Sequence, residues 1–356
     1  MLTLLISLLI PLFLYLKYIP TSLNNFGTYY SELVPNEHIR ENATFLTLCR
    51  NSDLYPMLET IQSIEDRFNN KFHYDWVFLN DVPFTQEFKE SVTPMISGNV
   101  KFGTIEEKHW SYPDWIDQER VKESMETLKD RVVYGGSESY RHMCRWYSGF
   151  FQWHDLMLDY KYYWRVEPEI KVFCDIDYDV FKYMREFGKK YGFIISIYEF
   201  KVTIPTLFGK VLEFINGDEQ VQASLPDDNL KDFIIDEEGD YNLCHFWTNF
   251  EVADLDFFRS DEFKKYFKFL DESGGFFYDR WGDGPVRSIF TSLFLKKDEI
   301  FWIKDFGYIH PPYMQCPLDK STRLAKHCSC DPNEDFTLND YSCTSKYLEL
   351  MNKRAI

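Results

Sequence analysis

The chain is poor in basic residues and in the segments that usually separate domains. Its 356 residues include 39 Lys and Arg against 57 Asp and Glu, which gives a net charge of −18. Because phosphate backbones are bound by basic surfaces, this balance argues against nucleic acid as a partner. The chain also lacks internal repeats, low-complexity segments and a Pro/Gly-rich linker after residue 41. We therefore predict one large domain over residues 42–356.

The scarcity of positive charge also bears on nucleotide ligands. A protein this acidic needs a local group of basic side chains or a bridging metal ion to hold a diphosphate. Arg50 follows the first predicted strand, and Arg141 lies in the segment Tyr140-Arg141-His142, which opens a predicted helix. Guanidinium groups and helix N-termini both attract anions. We therefore expect Arg50 and Arg141 to contact a phosphate or nucleotide.

No Lys or Arg precedes the apolar segment at the start of the chain. Residues 2–16 are almost wholly apolar and predict either a signal peptide or an uncleaved signal anchor. The lack of a small-x-small cleavage site favours a membrane anchor over residues 1–19, followed by a short stem over residues 20–41. Because Lys17 follows the run and nothing basic precedes it, the charge pattern specifies the orientation of the anchor poorly.

Paired C-x-x-C motifs are absent as well. Four of the eight cysteines lie near the C-terminus, at Cys316, Cys328, Cys330 and Cys343. With a secretory type of N-terminus, this grouping predicts a disulfide clasp on a loop-rich tail rather than a zinc site. The glycosylation sequon at Asn42 is consistent with the same luminal compartment.

Strands and helices alternate along the rest of the chain. Apolar and β-branched runs predict strands at 43–48, 75–79, 100–105, 160–169 and 192–197. Apolar residues at helical spacing predict helices at 54–61, 139–158, 181–187 and 205–215. This alternation predicts an α/β fold with a largely parallel, Rossmann-type sheet covered by helices on both faces.

The run at residues 160–169 ends in two carboxylates around a proline. Pro168 cannot donate a hydrogen bond to a sheet, so we expect the strand to stop there. Glu167 and Glu169 would then lie at the carboxyl edge of the sheet, where ligands of such folds bind. Carboxylate oxygens suit hard cations such as Mg²⁺ and Mn²⁺. The alternative is that both glutamates form a solvated strand end.

Four further motifs carry acids or an imidazole. Asp177 and Asp179 resemble a D-x-D metal motif, but a predicted helix follows them directly, which favours helix capping. Glu251 lies near an aromatic segment, where it could face an oxocarbenium ion or be a buried structural acid. Asp283 lies between two glycines in a predicted binding loop. His310 is either structural or, with a distant carboxylate, part of a metal site.

Several long motifs, in order along the chain, resemble the fungal α-1,2-mannosyltransferases of glycosyltransferase family 15. They are residues 109–117, 134–145, 162–169, 244–251, 274–285 and 310–312, together with the cysteine-rich tail. The resemblance extends from about residue 43 to residue 347, which is nearly everything after the predicted stem.

This resemblance implies a GT-A-like mixed sheet flanked by helices in a single catalytic domain. It also implies a single-pass type II membrane protein of the Golgi with that domain in the lumen. The implied reaction moves mannose from GDP-mannose to a mannose residue on an O- or N-linked glycan of a glycoprotein. Mn²⁺ is the implied cofactor, and the α configuration is retained.

The resemblance also assigns metal and nucleotide roles. The Glu-Pro-Glu motif takes the place of the usual D-x-D, with Glu167 on the nucleotide side and Glu169 as the metal-side carboxylate. His310 is implied as a second metal ligand, and Arg50 as a nucleotide contact. Mn²⁺ would then neutralise the diphosphate, which so acidic a protein has few basic side chains to bind.

Three residues are implied in the chemistry itself. Tyr140 matches a residue near the transferred sugar, Asp283 a cleft acid near the acceptor, and Glu251 the carboxylate proposed as nucleophile. Retention requires either a covalent mannosyl-Glu251 intermediate or front-face attack, in which the departing phosphate takes the acceptor proton. The sequence leaves both routes open.

The chain departs from the family pattern at three positions. Cys49 replaces an expected aliphatic residue, Arg287 an expected histidine, and Tyr147 an expected small or polar residue. Changes at Arg287 and Tyr147 would bear on acceptor choice. Two other functions remain as alternatives, namely a non-catalytic luminal mannan-binding protein on a degenerate transferase fold, and an inverting transferase or glycosidase with two carboxylates.

Overall fold

The computed structural model describes residues 40–352. Within this range, residues 40–176 and 180–352 form one compact unit. The predicted anchor and nearly all of the predicted stem lie outside the described residues. Among the described residues no helix is both long and apolar enough to cross a membrane.

The described part of the chain contains twelve strands and ten α-helices of six or more residues. The strands are β1 (Ala43–Leu48), β2 (Asp75–Asn80), β3 (Val100–Thr104), β4 (Tyr162–Arg165), β5 (Lys171–Val172), β6 (Tyr191–Phe193), β7 (Ser196–Tyr198), β8 (Cys244–Phe246), β9 (Glu251–Asp254), β10 (Ile300–Trp302), β11 (Tyr308–His310) and β12 (Tyr313–Gln315). The helices are α1 (Leu54–Ile64), α2 (Gln86–Val92), α3 (Gln118–Leu128), α4 (Glu138–Gly149), α5 (Val180–Glu186), α6 (Leu207–Asn216), α7 (Asp261–Ser273), α8 (Asp283–Phe294), α9 (Lys320–Ala325) and α10 (Thr344–Asn352).

Seven strands form the central sheet in the order β10-β6-β9-β4-β1-β2-β3. Strands β3, β2, β1 and β4 are parallel to one another, and β6 is parallel to β10. Strand β9 runs antiparallel to both of its neighbours, β4 and β6. The prediction of a helix-flanked α/β architecture is confirmed, and so is the mixed sheet that the resemblance implies. Four of the six strand pairings are parallel, and β9 enters between β4 and β6 in the reverse direction.

Both faces of the sheet are buried, as its near-continuous apolar strands require. On one face, Phe45 packs against Trp76 and Trp164 with ring centroids 4.6 and 5.2 Å apart. On the other face, Leu46 and Tyr163 join the main hydrophobic core. Alternate residues of one strand therefore serve two separate aromatic-rich layers.

Three predicted elements differ from the observed ones by more than three residues or by being divided. The strand predicted at 160–169 is ordered as a strand only over Tyr162–Arg165. The strand predicted at 192–197 is two strands, because β6 lies in the central sheet and β7 pairs with β8 in a separate one. The helix predicted at 139–158 ends at Gly149, where an added Cβ would lie 2.2 Å from the ring of Phe267.

Three disulfides stabilise the C-terminal part of the domain, and two of them join it to the rest. Cys316–Cys330 closes a loop within the tail, whereas Cys174–Cys328 and Cys244–Cys343 join the tail to the body. The predicted clasp is therefore confirmed, and it extends beyond the tail. Cys49 and Cys144 are buried free thiols.

Candidate active site

The parallel strands β1 and β4 end at the same edge of the central sheet, and the predicted site residues follow them. Arg50 comes two residues after β1 and is exposed. Its Nη2 donates a hydrogen bond to Oγ of Ser139, at 2.7 Å, in the first turn of α4. The helix N-terminus and the guanidinium together favour an anion, so Arg50 is well placed for the predicted nucleotide contact.

The Glu-Pro-Glu turn follows β4 directly. Glu167 accepts hydrogen bonds from Nε and Nη2 of Arg165, at 2.8 and 2.7 Å. Glu169 is exposed and has a left-handed backbone with φ +69°. This conformation is unfavourable for a residue with a side chain and persists only where neighbouring structure imposes it. The turn therefore directs Glu167 towards the protein and Glu169 towards solvent.

His310 lies near the same turn because of the small sheet β12-β11-β5. In this sheet Tyr308 pairs with Val172 and Ile309 with Lys171. Because the two strands are antiparallel, His310 lies at the end where β5 begins, and β5 begins just after Glu169. The ring of His310 packs edge-on against Trp247, with centroids 5.1 Å apart. Its Nδ1 lies 3.1 Å from the carbonyl oxygen of Pro311. A proton shared there leaves Nε2 with a free lone pair.

The donor set at this end fits a hard or borderline divalent cation that is only partly ligated by protein. In the described part of the chain no group of three or more His, Cys, Asp or Glu side chains forms a ready-made metal site. Mg²⁺ and similar ions commonly use one or two protein ligands and complete their coordination with substrate phosphates and water. One carboxylate and one imidazole, as supplied by Glu169 and His310, suit Mn²⁺ in this way.

Asp283 begins helix α8 and is only 5% exposed. Its Oδ2 accepts hydrogen bonds from Nη1 of Arg165, at 2.5 Å, and from Oγ1 of Thr248, at 2.7 Å. Burial acts to raise the pKa of Asp283, but the charge of Arg165 and these hydrogen bonds outweigh it and hold the pKa below its usual value. Asp283 is therefore a fixed carboxylate anion at the predicted acceptor side.

Glu251 begins β9 and is completely buried. Its Oε1 accepts a hydrogen bond from the hydroxyl of Tyr163 at 2.6 Å. Its Oε2 accepts one from Nε of Arg287 at 3.2 Å, and Arg287 is also completely buried. The residue predicted as nucleophile thus lies within an ion pair, with both carboxylate oxygens bound by protein.

Tyr140 is half-buried on the first turn of α4, with Arg280 above its ring at 5.1 Å from the centroid. Burial raises the pKa of its hydroxyl, and the nearby charge of Asp283 adds to that rise. Sequence reasoning missed the neighbouring pair of Arg280 and Glu199, whose side chains are 5% and 11% exposed and lie 3.8 Å apart. Arg280 belongs to the motif at 274–285, but no sequence signal pointed to Glu199.

Arg141 does not contact the predicted nucleotide edge as expected. It is completely buried, and each of its five N–H groups has a protein acceptor. These acceptors are the carbonyl oxygens of Gly135, Ser137, Phe277 and Asp279 and the hydroxyl of Ser124. Its guanidinium joins helix α3, the turn before α4 and residues 277–279, and it has no donor left for a phosphate.

Comparison with known proteins identifies the family. The family model described as glycolipid 2-alpha-mannosyltransferase matches residues 21–352. The chain belongs to this family. Glycolipid 2-alpha-mannosyltransferase 1 of Candida albicans is 55% identical over 312 residues, which cover 87% of this chain and 72% of that protein. Alpha-1,2 mannosyltransferase KTR1 of Saccharomyces cerevisiae is 53% identical, with 87% and 79% covered.

Solved structures of this family share the fold. Core-mannan synthase A of Aspergillus fumigatus, in its Mn/GDP form, superposes with a TM-score of 0.82 at 37% identity and covers 89% of this chain and 87% of its own. Mannosyltransferase Ktr4p of S. cerevisiae in complex with GDP also gives 0.82, at 35% identity, with 92% and 90% covered. The expected GT-A-like fold is confirmed, and the chain is a glycosyltransferase of the mannosyltransferase type.

Proposed function

We propose that this chain is a retaining α-1,2-mannosyltransferase that moves mannose from GDP-mannose to a mannose-terminated O- or N-linked glycan of a glycoprotein, with Mn²⁺ as cofactor. What supports this proposal is the placement of its residues at one edge of the sheet. Arg50 and the Glu-Pro-Glu turn follow the neighbouring strands β1 and β4, and the register of β11 and β5 brings His310 to the end of β5 that follows Glu169. A cation site and an anion site at this edge would together bind a nucleotide diphosphate. The names of the family's relatives and their Mn/GDP and GDP complexes support the same ligands.

Glu169 and His310 would hold the Mn²⁺. When bound, the ion would neutralise the charge that develops on the diphosphate as it leaves. Arg50 and the N-terminus of α4 would bind the nucleotide side, in place of the basic surface that this acidic protein lacks. Glu167 stays ion-paired with Arg165, so its role would be to hold the turn that presents Glu169.

The acceptor side would be formed by Asp283 and Tyr140. Because Asp283 is held as an anion, it can accept a hydrogen bond from an acceptor hydroxyl and orient it. Tyr140 lies beside Arg280 and near Asp283, and its protonated hydroxyl can donate to a sugar oxygen.

The proposed location is the Golgi membrane, with a type II anchor over residues 1–19, a stem over residues 20–41 and the catalytic domain in the lumen. The three disulfides of the described residues support an oxidising compartment. The free thiols Cys49 and Cys144 are both buried, which protects them there.

The direct test follows GDP release from GDP-mannose with methyl-α-mannoside as acceptor, using the full chain in detergent with Mn²⁺. We expect an α-1,2-linked disaccharide by NMR, and its loss on addition of EDTA. The matched control is Glu169→Ala, which should lower turnover about 100-fold but leave the fold unchanged. Binding of mannan without GDP release would instead support the non-catalytic alternative, and a β-linked product would support an inverting enzyme.

A further inference from the structure

Four charged side chains lie where α8 packs on the central sheet, and their signs alternate. In the register of β4 and β9, Arg165 is directly opposite Glu251, so both project from the same face. Asp283 and Arg287 lie four residues apart on α8, which places them on one face of that helix. Arg165 binds Asp283 at 2.5 Å, and Arg287 binds Glu251 at 3.1 Å. The strand pair and the helix pair therefore form a charge quartet of Arg165, Glu251, Arg287 and Asp283.

Arg287 is tightly fixed in this quartet. Its Nη2 donates to the hydroxyl oxygen of Tyr163 at 2.5 Å, and its Nη1 to the carbonyl oxygen of Tyr147 at 3.4 Å. Its Cζ lies 3.7 Å from the ring centroid of Phe258. A buried cation in such a place requires an anion, and Glu251 supplies it.

The same contacts determine what Glu251 can do. The hydroxyl of Tyr163 binds Arg287 and Glu251 together, which closes a triangle of three buried groups. A nucleophile must direct a free carboxylate lone pair at the anomeric carbon, on the face opposite the leaving group. Both oxygens of Glu251 are instead engaged by Tyr163 and Arg287, and its side chain has no exposed surface.

We propose that Arg287 and Glu251 are a positioning pair that fixes α8, and with it Asp283, against the sheet, and that Glu251 does not attack the sugar. This inference rests on the proposed mannosyltransferase function. Retention then follows the front-face route. The acceptor oxygen bonds to C1 as the bond from C1 to the diphosphate oxygen breaks, that oxygen keeps the electron pair, and a departing phosphate oxygen takes the acceptor proton.

The test compares Glu251→Gln, Arg287→Met and the double variant in the full chain, after transfer by the wild-type chain has been measured. Because the single variant leaves Arg287 unpaired and displaces Asp283, we expect Glu251→Gln to lower kcat about 100-fold. The Kd for GDP-mannose should stay within about threefold, because the donor edge is intact. In the double variant no unpaired charge remains, so kcat should rise at least about tenfold above that of Glu251→Gln.

A nucleophilic Glu251 predicts a different pattern. Its loss would lower kcat by about 10⁴-fold or more, and neutralising Arg287 would recover nothing. Sodium azide added to Glu251→Ala would then restore turnover and give β-mannosyl azide. We expect no such product. Either a β-mannosyl azide product or a double variant no better than Glu251→Gln would overturn the proposal.

Arg287→Lys is a further variant for the case in which Glu251→Gln or Arg287→Met does not fold. This variant retains a cation beside Glu251 but loses the guanidinium contacts to Tyr163 and Tyr147, so we expect a kcat below the wild-type value but above about one hundredth of it, the level expected for Glu251→Gln. Activity below that level with a wild-type melting curve would also contradict positioning through charge. Transfer by the wild-type chain is measured before any variant is made. If the wild-type chain transfers no mannose, the proposed function itself is wrong, and this outcome is distinct from a failure of the positioning proposal.

Discussion

Two groups of polar and charged side chains lie at the carboxyl edge of the central sheet, and they differ in the partners that they have within the protein. The charge quartet is 0–5% exposed, and every member pairs with another charged residue of the protein. The rim, which we define as Arg50, Glu169 and His310, is exposed or half-buried. Within the described residues, Glu169 and His310 have no ion pair.

This difference separates positioning from ligand binding. Burying charged groups is costly, and an apolar replacement of similar volume is often as stable, so a buried quartet indicates that its geometry matters. The side chains of Glu169 and His310 at the rim are available to bind a ligand. The backbone of Glu169 is also held in an unfavourable conformation. We therefore expect changes in the quartet to affect both stability and turnover, and changes at the rim to affect turnover alone.

The largest effect is expected from Arg165→Met. This change leaves the carboxylates of Asp283 and Glu167 without their buried cation, so the free energy of unfolding should fall by about 3–5 kcal/mol. Urea denaturation measures it. Arg67→Met is the matched control, because Arg67 and Asp175 are also 2.5 Å apart but partly exposed. That control should lower the free energy of unfolding by about 1 kcal/mol or less. Equal losses of unfolding free energy in the two variants would contradict the distinction between the buried quartet and exposed ion pairs.

At the rim, Glu169→Gly should separate turnover from stability. Without Glu169 the metal loses its predicted carboxylate, and kcat/KM should fall by about 100-fold. Glycine accepts φ +69° without strain, so stability should stay the same or rise by about 1 kcal/mol. His73→Gly is the control, since His73 has φ 57° away from the site, and turnover should not change. A destabilised Glu169→Gly would show that Glu169 supports the fold.

Much of this site was predictable from the chain alone. The Glu-Pro-Glu motif had to end a strand at the carboxyl edge, and Arg50 follows another strand of the same sheet. The resemblance assigned His310 to the same site, and the sheet β12-β11-β5 brings it to that edge through Ile309 and Lys171. These residues follow from local rules, because they lie at the ends of elements that the sequence marks clearly.

The quartet was not predictable in the same way. It depends on β9 entering antiparallel between β4 and β6, which sets Glu251 opposite Arg165 across 86 positions of chain. No local pattern specifies that register. The burial of Arg141 was unpredictable for a related reason. Its position at a helix start was visible in the sequence, but two of the carbonyl groups that bind it, those of Phe277 and Asp279, are more than 130 positions away along the chain.

The pH dependence of stability offers a further test of the quartet. Since the pKa of Asp283 is held below its usual value, its contribution is fully present above the unfolded pKa, about 3.9. That contribution is lost as the pH falls through the folded pKa. We therefore expect the difference in unfolding free energy between wild type and Asp283→Asn to be constant above about pH 5 and to shrink below pH 4. A difference that is unchanged at pH 3 would exclude this charge as its source.

The smallest effect is expected at Tyr147, whose ring supports the quartet from one side. Cζ of Arg165 lies 3.4 Å from its centroid. Tyr147→Phe keeps this cation–π contact, so the free energy of unfolding should change by about 1 kcal/mol or less, whereas Tyr147→Leu removes the ring and should cost about 2 kcal/mol more. Urea unfolding of both variants measures the difference. If Phe and Leu are equally costly, the hydroxyl rather than the ring stabilises this side of the quartet, and Arg165 is held by its carboxylates alone.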